Sequence, residues 1–134
     1  MIENHSHNLP PEFELISKLE TAISTLYFYE GFIIFEGNEG IVLSYETGFS
    51  DLLKVLQILN GKPWIYISNR VNSYSLNALD FKYLNHIPTL GAVAIINYSE
   101  ISAMNAEFEG TFCTKPFKIF NSLDDAAIWT KTFL

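Results

Sequence analysis

Pro63-Trp64-Ile65-Tyr66-Ile67-Ser68-Asn69-Arg70-Val71-Asn72-Ser73-Tyr74-Ser75-Leu76 changes character halfway along. Trp64 to Ile67 is an unbroken apolar run, too short for a helix and without the alternation of a half-exposed strand. Such runs suit inner strands covered on both faces. Ser68 to Ser75 then supplies hydroxyls, amides and one guanidinium. We read a buried strand that opens into a polar loop, with a second helix starting near Leu76. The loop after an inner parallel strand is where open α/β sheets place their sites. The amides of a helix N-terminus would favour an anion there.

A second apolar run, Gly91-Ala92-Val93-Ala94-Ile95-Ile96, repeats the inner-strand pattern. Between the two runs Leu76, Leu79, Tyr83, Leu84 and Ile87 recur at helical spacing until Pro88 stops them. Upstream, Leu26-Tyr27-Phe28-Tyr29 and Phe32-Ile33-Ile34-Phe35 flank Glu30-Gly31 and read as a hairpin. Leu19 to Thr25 is an N-terminal extension or bulge of its first strand, with a short helix over 13–20 as the competing reading. Ser44 caps an amphipathic helix that buries Phe49, Leu52, Leu53, Leu56 and Leu59 and turns Asp51, Lys54 and Gln57 outward. Asn60-Gly61 ends it. After the second run, Ser99 caps a helix whose apolar residues are Ile101, Met104 and Phe108, with Phe112 a candidate fourth. Pro116 leads a short strand to Phe120. Ser122-Leu123-Asp124-Asp125 then caps a last helix that presents Leu123, Ala126, Ala127, Thr130 and Phe133 to the core. The order is β-β-α-β-α-β-α-β-α, an α/β fold with a mixed, mainly parallel sheet of four or five strands.

Residues 1–12 read as a flexible N-terminal tail and residues 13–134 as a single domain. His5 and His7 in that tail lack further ligands, so no metal site is expected. The 134-residue chain carries 8 basic and 15 acidic side chains, a net charge of −7. That balance argues against nucleic acid and against an anionic membrane surface as partners. No run suits an integral membrane segment or a signal peptide, and the expected location is cytoplasmic. Cys113 is the one cysteine, so no internal disulfide can form, and it is expected in the core. Eleven Phe, seven Tyr and two Trp promise a core rich in rings.

Phe117-Lys118-Ile119-Phe120-Asn121-Ser122-Leu123-Asp124-Asp125-Ala126-Ala127-Ile128-Trp129 resembles the closing strand and helix of the STAS superfamily, in its SpoIIAA-like, anti-sigma-factor-antagonist branch. There an F-x-(S/D)-x-(E/D)-(E/D)-A-x-x-W pattern is common. Tyr66 to Ser75 is similar to a run in small STAS-like proteins of Bacteroidetes. The resemblance spans about residues 20–134. It implies a four- or five-stranded sheet with helices mainly on one face. It also implies a regulatory serine at the start of the second helix, phosphorylated by a partner kinase to switch binding to an anti-sigma factor. Ser73 and Ser75 stand at about that place, in Asn72-Ser73-Tyr74-Ser75-Leu76, without the Asp and Gly that flank the family's serine.

The candidate recognition residues are therefore Ser68, Asn69, Arg70, Asn72, Ser73, Tyr74 and Ser75, with Ser73 and Ser75 as candidate phosphorylation sites. Arg70, the one arginine, suits a bidentate clamp on a phosphate or carboxylate. Ser and Asn also build turns for purely local reasons, and Arg70 would equally pin a loop. No catalytic residue is assigned. A serine nucleophile needs a nearby base, and His86 lies about 16 Å of helix beyond Ser75 at 1.5 Å per residue. Glu107, Glu109, Asp124 and Asp125 read as capping and solvated surface. No cofactor is expected. The sequence points to a non-enzymatic regulatory or protein-interaction module with a protein partner, weak homodimerisation being open. The alternative is a small-molecule protein that takes an apolar or anionic ligand at the same loop.

Overall fold

A computed structural model describes residues 7–133. Its centre is the pair of apolar runs. β5 (Trp64–Asn69) and β7 (Leu90–Ile96) lie side by side and parallel, with Ile67 opposite Ala94 and Asn69 opposite Ile96. On one side β7 pairs in parallel with the short edge strand β8 (Phe117–Phe120). On the other, β5 pairs in parallel with β3 (Phe32–Gly37), which continues antiparallel into β2 (Ser24–Tyr29) and β1 (Leu15–Glu20). The order across the sheet is β1-β2-β3-β5-β7-β8. The β2–β3 hairpin closes on Glu30-Gly31, where Gly31 takes φ 84°, a left-handed conformation that costs glycine nothing.

Alternate residues of the inner strands feed two cores. Leu26, Phe28, Ile33, Phe35, Trp64, Val93 and Ile95 face one side. They meet Val55 of α1 (Tyr45–Leu59), Phe81 of α2 (Phe81–Leu84) and Ala106 of α3 (Glu100–Gly110). Tyr27, Tyr29, Phe32, Ile34, Ile65 and Ile67 face the other, under Ala126 and Ala127 of α4 (Leu123–Thr130) and under Leu9 and Phe13. Three helices on one face and one on the other match the expected layering.

The α1 boundaries follow from local chemistry. The Ser44 hydroxyl accepts from the Thr47 N–H while the Thr47 hydroxyl accepts from the Ser44 N–H, and Asn60 ends the helix at φ 50°. Ser99 and Ser122 cap α3 and α4 as expected.

Several expectations are corrected. Among the described residues the sheet has six strands, because residues 15–20 form β1 rather than an extension of β2 or a helix. The β2 edge offers amides and carbonyls that need partners, and β1 supplies them with a register shift between Leu15 and Ser17. The long second helix is absent. Ser75–Leu76 is a short strand, β6, paired with β4 (Val42–Leu43); a 3₁₀ turn over Ala78–Asp80 and the four-residue α2 follow. The Asn77 side chain accepts from the Leu79 N–H, so a polar turn replaces the first helical turn.

α1 buries Asp51 and Val55, while Phe49 and Leu53 are exposed. Asp51 is inside because the sheet places two hydroxyls against it. Its Oδ2 accepts from Ser24 Oγ at 2.6 Å and Thr21 Oγ1 at 2.9 Å. On α3 the pattern is likewise rotated, with Ala106 and Glu109 inside and Ile101, Met104 and Phe108 outside. Cys113 is half-buried at the core's margin, where burial raises its thiol pKa. Phe133 is exposed.

The proposed tail lies outside the described residues up to Ser6. Beyond that, residues 7–13 are docked, with Phe13 edge-on to Phe32 and Glu12 in contact with Lys131.

Candidate functional site

The parallel strands β3, β5 and β7 all end on the same side of the sheet, and the predicted loop leaves from the middle one. Ser68 and Asn69 are the last residues of β5 and are buried. Asn69 Nδ2 donates to Glu36 Oε2 at 2.8 Å, and its Oδ1 accepts from the Tyr98 hydroxyl at 2.6 Å. The same Glu36 oxygen lies 2.7 Å from His7 Nε2, and His7 Nδ1 lies 3.0 Å from the Tyr29 hydroxyl. A continuous polar chain, Tyr29–His7–Glu36–Asn69–Tyr98, therefore runs from the Tyr29 phenol, on a residue paired with the start of β3, to the strand ends at Glu36 and Asn69. Burial would raise the Glu36 pKa, but the hydrogen bonds from His7 and Asn69 outweigh it and hold the carboxyl below its ordinary value. Burial, with Tyr27 and Glu36 nearby, pushes the Tyr29 phenol up to about 12.

Arg70 turns back into the protein. Its Nη1 and Nη2 donate to the two oxygens of Glu109 at 3.1 and 2.6 Å, a bidentate pair whose side chains are 9% and 6% exposed. Its Nε lies 3.4 Å from Ser68 Oγ. Burial alone would lower the guanidinium pKa; the hydrogen bonds and charge of Glu109 more than reverse it. The clamp is thus already closed on a carboxylate of this chain. Glu109 was read as solvated surface and is instead that partner. The signal was indirect: a lone arginine in a strongly acidic chain.

Residues 72–77 are strapped to the segment after β3. Asn72 Nδ2 donates to the Gly37 carbonyl at 3.0 Å and the Ser73 N–H to Glu39 Oε1 at 3.1 Å. The Gly40 N–H donates to the Ser73 carbonyl, and the Ser75 and Asn77 N–H groups to the Ile41 and Leu43 carbonyls. The Tyr74 ring lies so close to Gly37 that an added Cβ would sit 2.8 Å from it. Ser73 and Ser75 are exposed. The loop does not stand at a helix N-terminus, and the four-residue α2 beyond it has too few aligned peptides for an anion site.

Of the seven predicted residues, Ser68, Asn69 and Arg70 form an internal group, and Asn72, Ser73, Tyr74 and Ser75 form a strapped loop beside it. Arg70 and residues 72–75, but not Ser68 or Asn69, wall one side of an open groove of about 980 Å³ whose other side is α3. Arg70–Glu109 is at its base. Val71, Leu79, Tyr98, Ile101 and Phe108 line it and are exposed. Sequence reasoning missed Tyr98, Ile101 and Phe108 as groove members, and Glu36 as the centre of the polar chain beside it. The sequence marks Ile101 and Phe108 as apolar residues of that helix and does not say which way they face.

His86 is exposed and is not part of the groove lining. Among the described residues no group of three or more His, Cys, Asp or Glu side chains could hold a metal ion. None of their helices is long and apolar enough to cross a membrane.

No family model matches the chain, and no curated protein does. A solved structure does: an uncharacterized protein from the DUF3478 family with a SpoIIAA-like fold, from Shewanella loihica PV-4. It is 19% identical, with 85% of this chain and 90% of that chain covered, at a TM-score of 0.55. That likeness is one of architecture: the chain has a SpoIIAA-like fold.

Proposed function

We propose that the chain is a non-enzymatic interaction module of the STAS type, and that the groove between residues 70–79 and α3 is its recognition surface. One observation carries this reading. Ile101, Met104 and Phe108 follow one another along α3 at three- and four-residue spacing, yet are 73%, 67% and 60% exposed. Ile101 and Phe108 line the groove with Val71, Leu79 and Tyr98, all exposed, an apolar surface of a kind that monomeric domains rarely leave uncovered without use. A polar rim of Asn72, Ser75, Ser102 and Asn105 surrounds it, as in protein interfaces.

The occupant is a protein segment with apolar anchors flanked by Lys or Arg. The charge of the chain supports this choice, with 15 acidic against 8 basic residues. So does the groove itself, where Glu109 neutralises Arg70 and Glu100 and Glu107 of α3 stay exposed beside the apolar stripe. An acidic partner would find no free guanidinium there. The regulatory part of the proposal rests on Ser73 and Ser75, exposed on the opposite wall. A phosphate on Ser75 would add negative charge at the rim and strengthen a basic partner's binding. On Ser73 it would stand beside Glu39, which accepts that residue's N–H, and would loosen the loop.

The test is site-specific photo-crosslinking in the native cell, with a photoreactive residue at Ile101 or Phe108 and at Ile128 on α4 as control. The expected result is one discrete adduct from the two groove positions, whose crosslinked peptide carries apolar residues and Lys or Arg. Equal labelling from Ile128, or an acidic crosslinked peptide, would count against the reading.

A further inference from the structure

We infer that the apolar cavity between α1 and the sheet is a second binding site, for a neutral apolar molecule of about one aromatic ring. The cavity holds about 120 Å³. Its walls include Leu26 and Ile33 from the sheet, Leu52 and Val55 from α1, and Trp64 and Leu84. Apolar cavities of roughly 150 Å³ stay dry and take benzene or xenon, because water there finds no hydrogen-bond partners. The pocket is open on one side, and its apolar walls lack dispersion partners across it, so an apolar occupant gains those contacts with no desolvation cost of its own.

The polar side chains at the cavity set the ligand class. Trp64 Nε1 already donates to Thr89 Oγ1 at 3.0 Å, and Asp51 Oδ2 already accepts two hydroxyls. Arg70 is not among the lining residues. A charged or strongly polar ligand would lose its hydration without compensation.

The cavity also has a mouth. Tyr45, Phe49 and Tyr83 line it and are exposed at its rim, and the Tyr45 and Tyr83 rings stack with centroids 4.0 Å apart. The stack joins the first turn of α1 to α2. The same junction is tied by Asp80 Oδ2, which accepts the Tyr45 N–H at 2.7 Å. One wall of the mouth is thus the four-residue α2 and its 3₁₀ turn, a segment with little regular hydrogen bonding to hold it. The pocket is already open to the surface, and widening it on this side separates one ring pair and one hydrogen bond. The cavity shares Leu76 and Asn77 with the groove but is otherwise lined by different residues. The inference does not depend on the proposed function.

The test is a titration of the purified chain with benzene and with toluene, read by the methyl NMR shifts of Leu52, Val55 and Leu84. Saturable shifts at these methyls, with Ile101 and Met104 unmoved, are expected. Leu52→Phe, which fills the cavity, should weaken binding about tenfold or more while its methyl spectrum stays dispersed; Leu84→Phe does the same from the opposite wall. Ile101→Ser should bind as the parent does. Absence of saturable shifts in the parent chain up to the solubility of the probes would overturn the inference. So would shifts confined to Ile101 and Met104, or undiminished binding by a folded filling variant.

Discussion

Arg70 and Glu109 meet over a sequence separation of thirty-nine residues and tie the loop after β5 to the C-terminal turn of α3. Both side chains are nearly buried, so neither is left easily without the other. Replacing Arg70 by Met, or Glu109 by Leu, should each cost about 3–5 kcal/mol in denaturant unfolding, and making both changes together should restore most of it. Single costs below about 1 kcal/mol would mean that the pair behaves as a surface contact. Glu36 gives the pH counterpart. Its carboxyl titrates lower in the folded protein than in the unfolded chain. Its stabilisation is therefore fully present above the unfolded value and is lost as pH falls through the folded one. Glu36→Gln should flatten the acid limb of the stability profile and leave the neutral-to-alkaline part parallel to the parent's. An unchanged acid limb would show that the His7 and Asn69 bonds do not act on this carboxyl. Asp51→Ala should cost about 1–3 kcal/mol by stranding the Ser24 and Thr21 hydroxyls, measured in the same way.

At the scale of elements, legibility followed the strength of one-residue rules. β5 and β7 were readable because Trp64 to Ile67 and Ala92 to Ile96 have a single solution, burial on both faces. α1 was readable from Ser44 and Asn60, whose caps are local chemistry. The connection from Leu76 to Ile87 was not. Its apolar spacing fits a helix, but Asn77 and Asp80 spend their side chains on the Leu79 and Tyr45 N–H groups, and Leu76 joins β4 through β6. Tyr45 and β4 are remote in sequence, so periodicity cannot see them, and the Asn77–Leu79 turn is a local competitor that apolar spacing does not register. On α3 the departure is Glu109, expected on the solvated surface: a buried carboxylate is allowed when a guanidinium meets it, and with Glu109 inside, Ile101, Met104 and Phe108 face out. α1 repeats the case with Asp51. The candidate loop does follow an inner strand, as expected, but it has neither the helix N-terminus nor the free arginine expected of it. Hydrogen exchange checks the element-level picture: amides of residues 78–87 should exchange orders of magnitude faster than those of β5 and β7. Equal protection would indicate a regular helix in that connection.

Across the whole molecule, the sheet is sandwiched between two apolar layers of unequal cover. Three helices close one side; α4 and residues 7–13 close the other. The N-terminal segment is thus part of the structure, through Leu9, Phe13 and His7. Phe13→Ala should destabilise by about 2 kcal/mol, less than a fully buried Phe because the ring is half-exposed, with no effect on groove binding. The opposite ends of the sheet also differ in use. The strand ends near Asn69 and Ile96 carry the polar chain and the groove; the strand starts carry short turns. If the proposed basic segment binds this chain, whose net charge is −7, its affinity should weaken with added salt.

The most direct test of the groove as a recognition surface is a peptide selection against the purified chain, followed by calorimetric titration of the winning sequence. The account predicts peptides with apolar residues and Lys or Arg, whose affinity falls at least about tenfold with Ile101→Ser plus Phe108→Ser. The same affinity should fall with salt and stay unchanged with Ile128→Ser. Acidic winners, or binding indifferent to the two α3 substitutions while the protein stays folded, would contradict it.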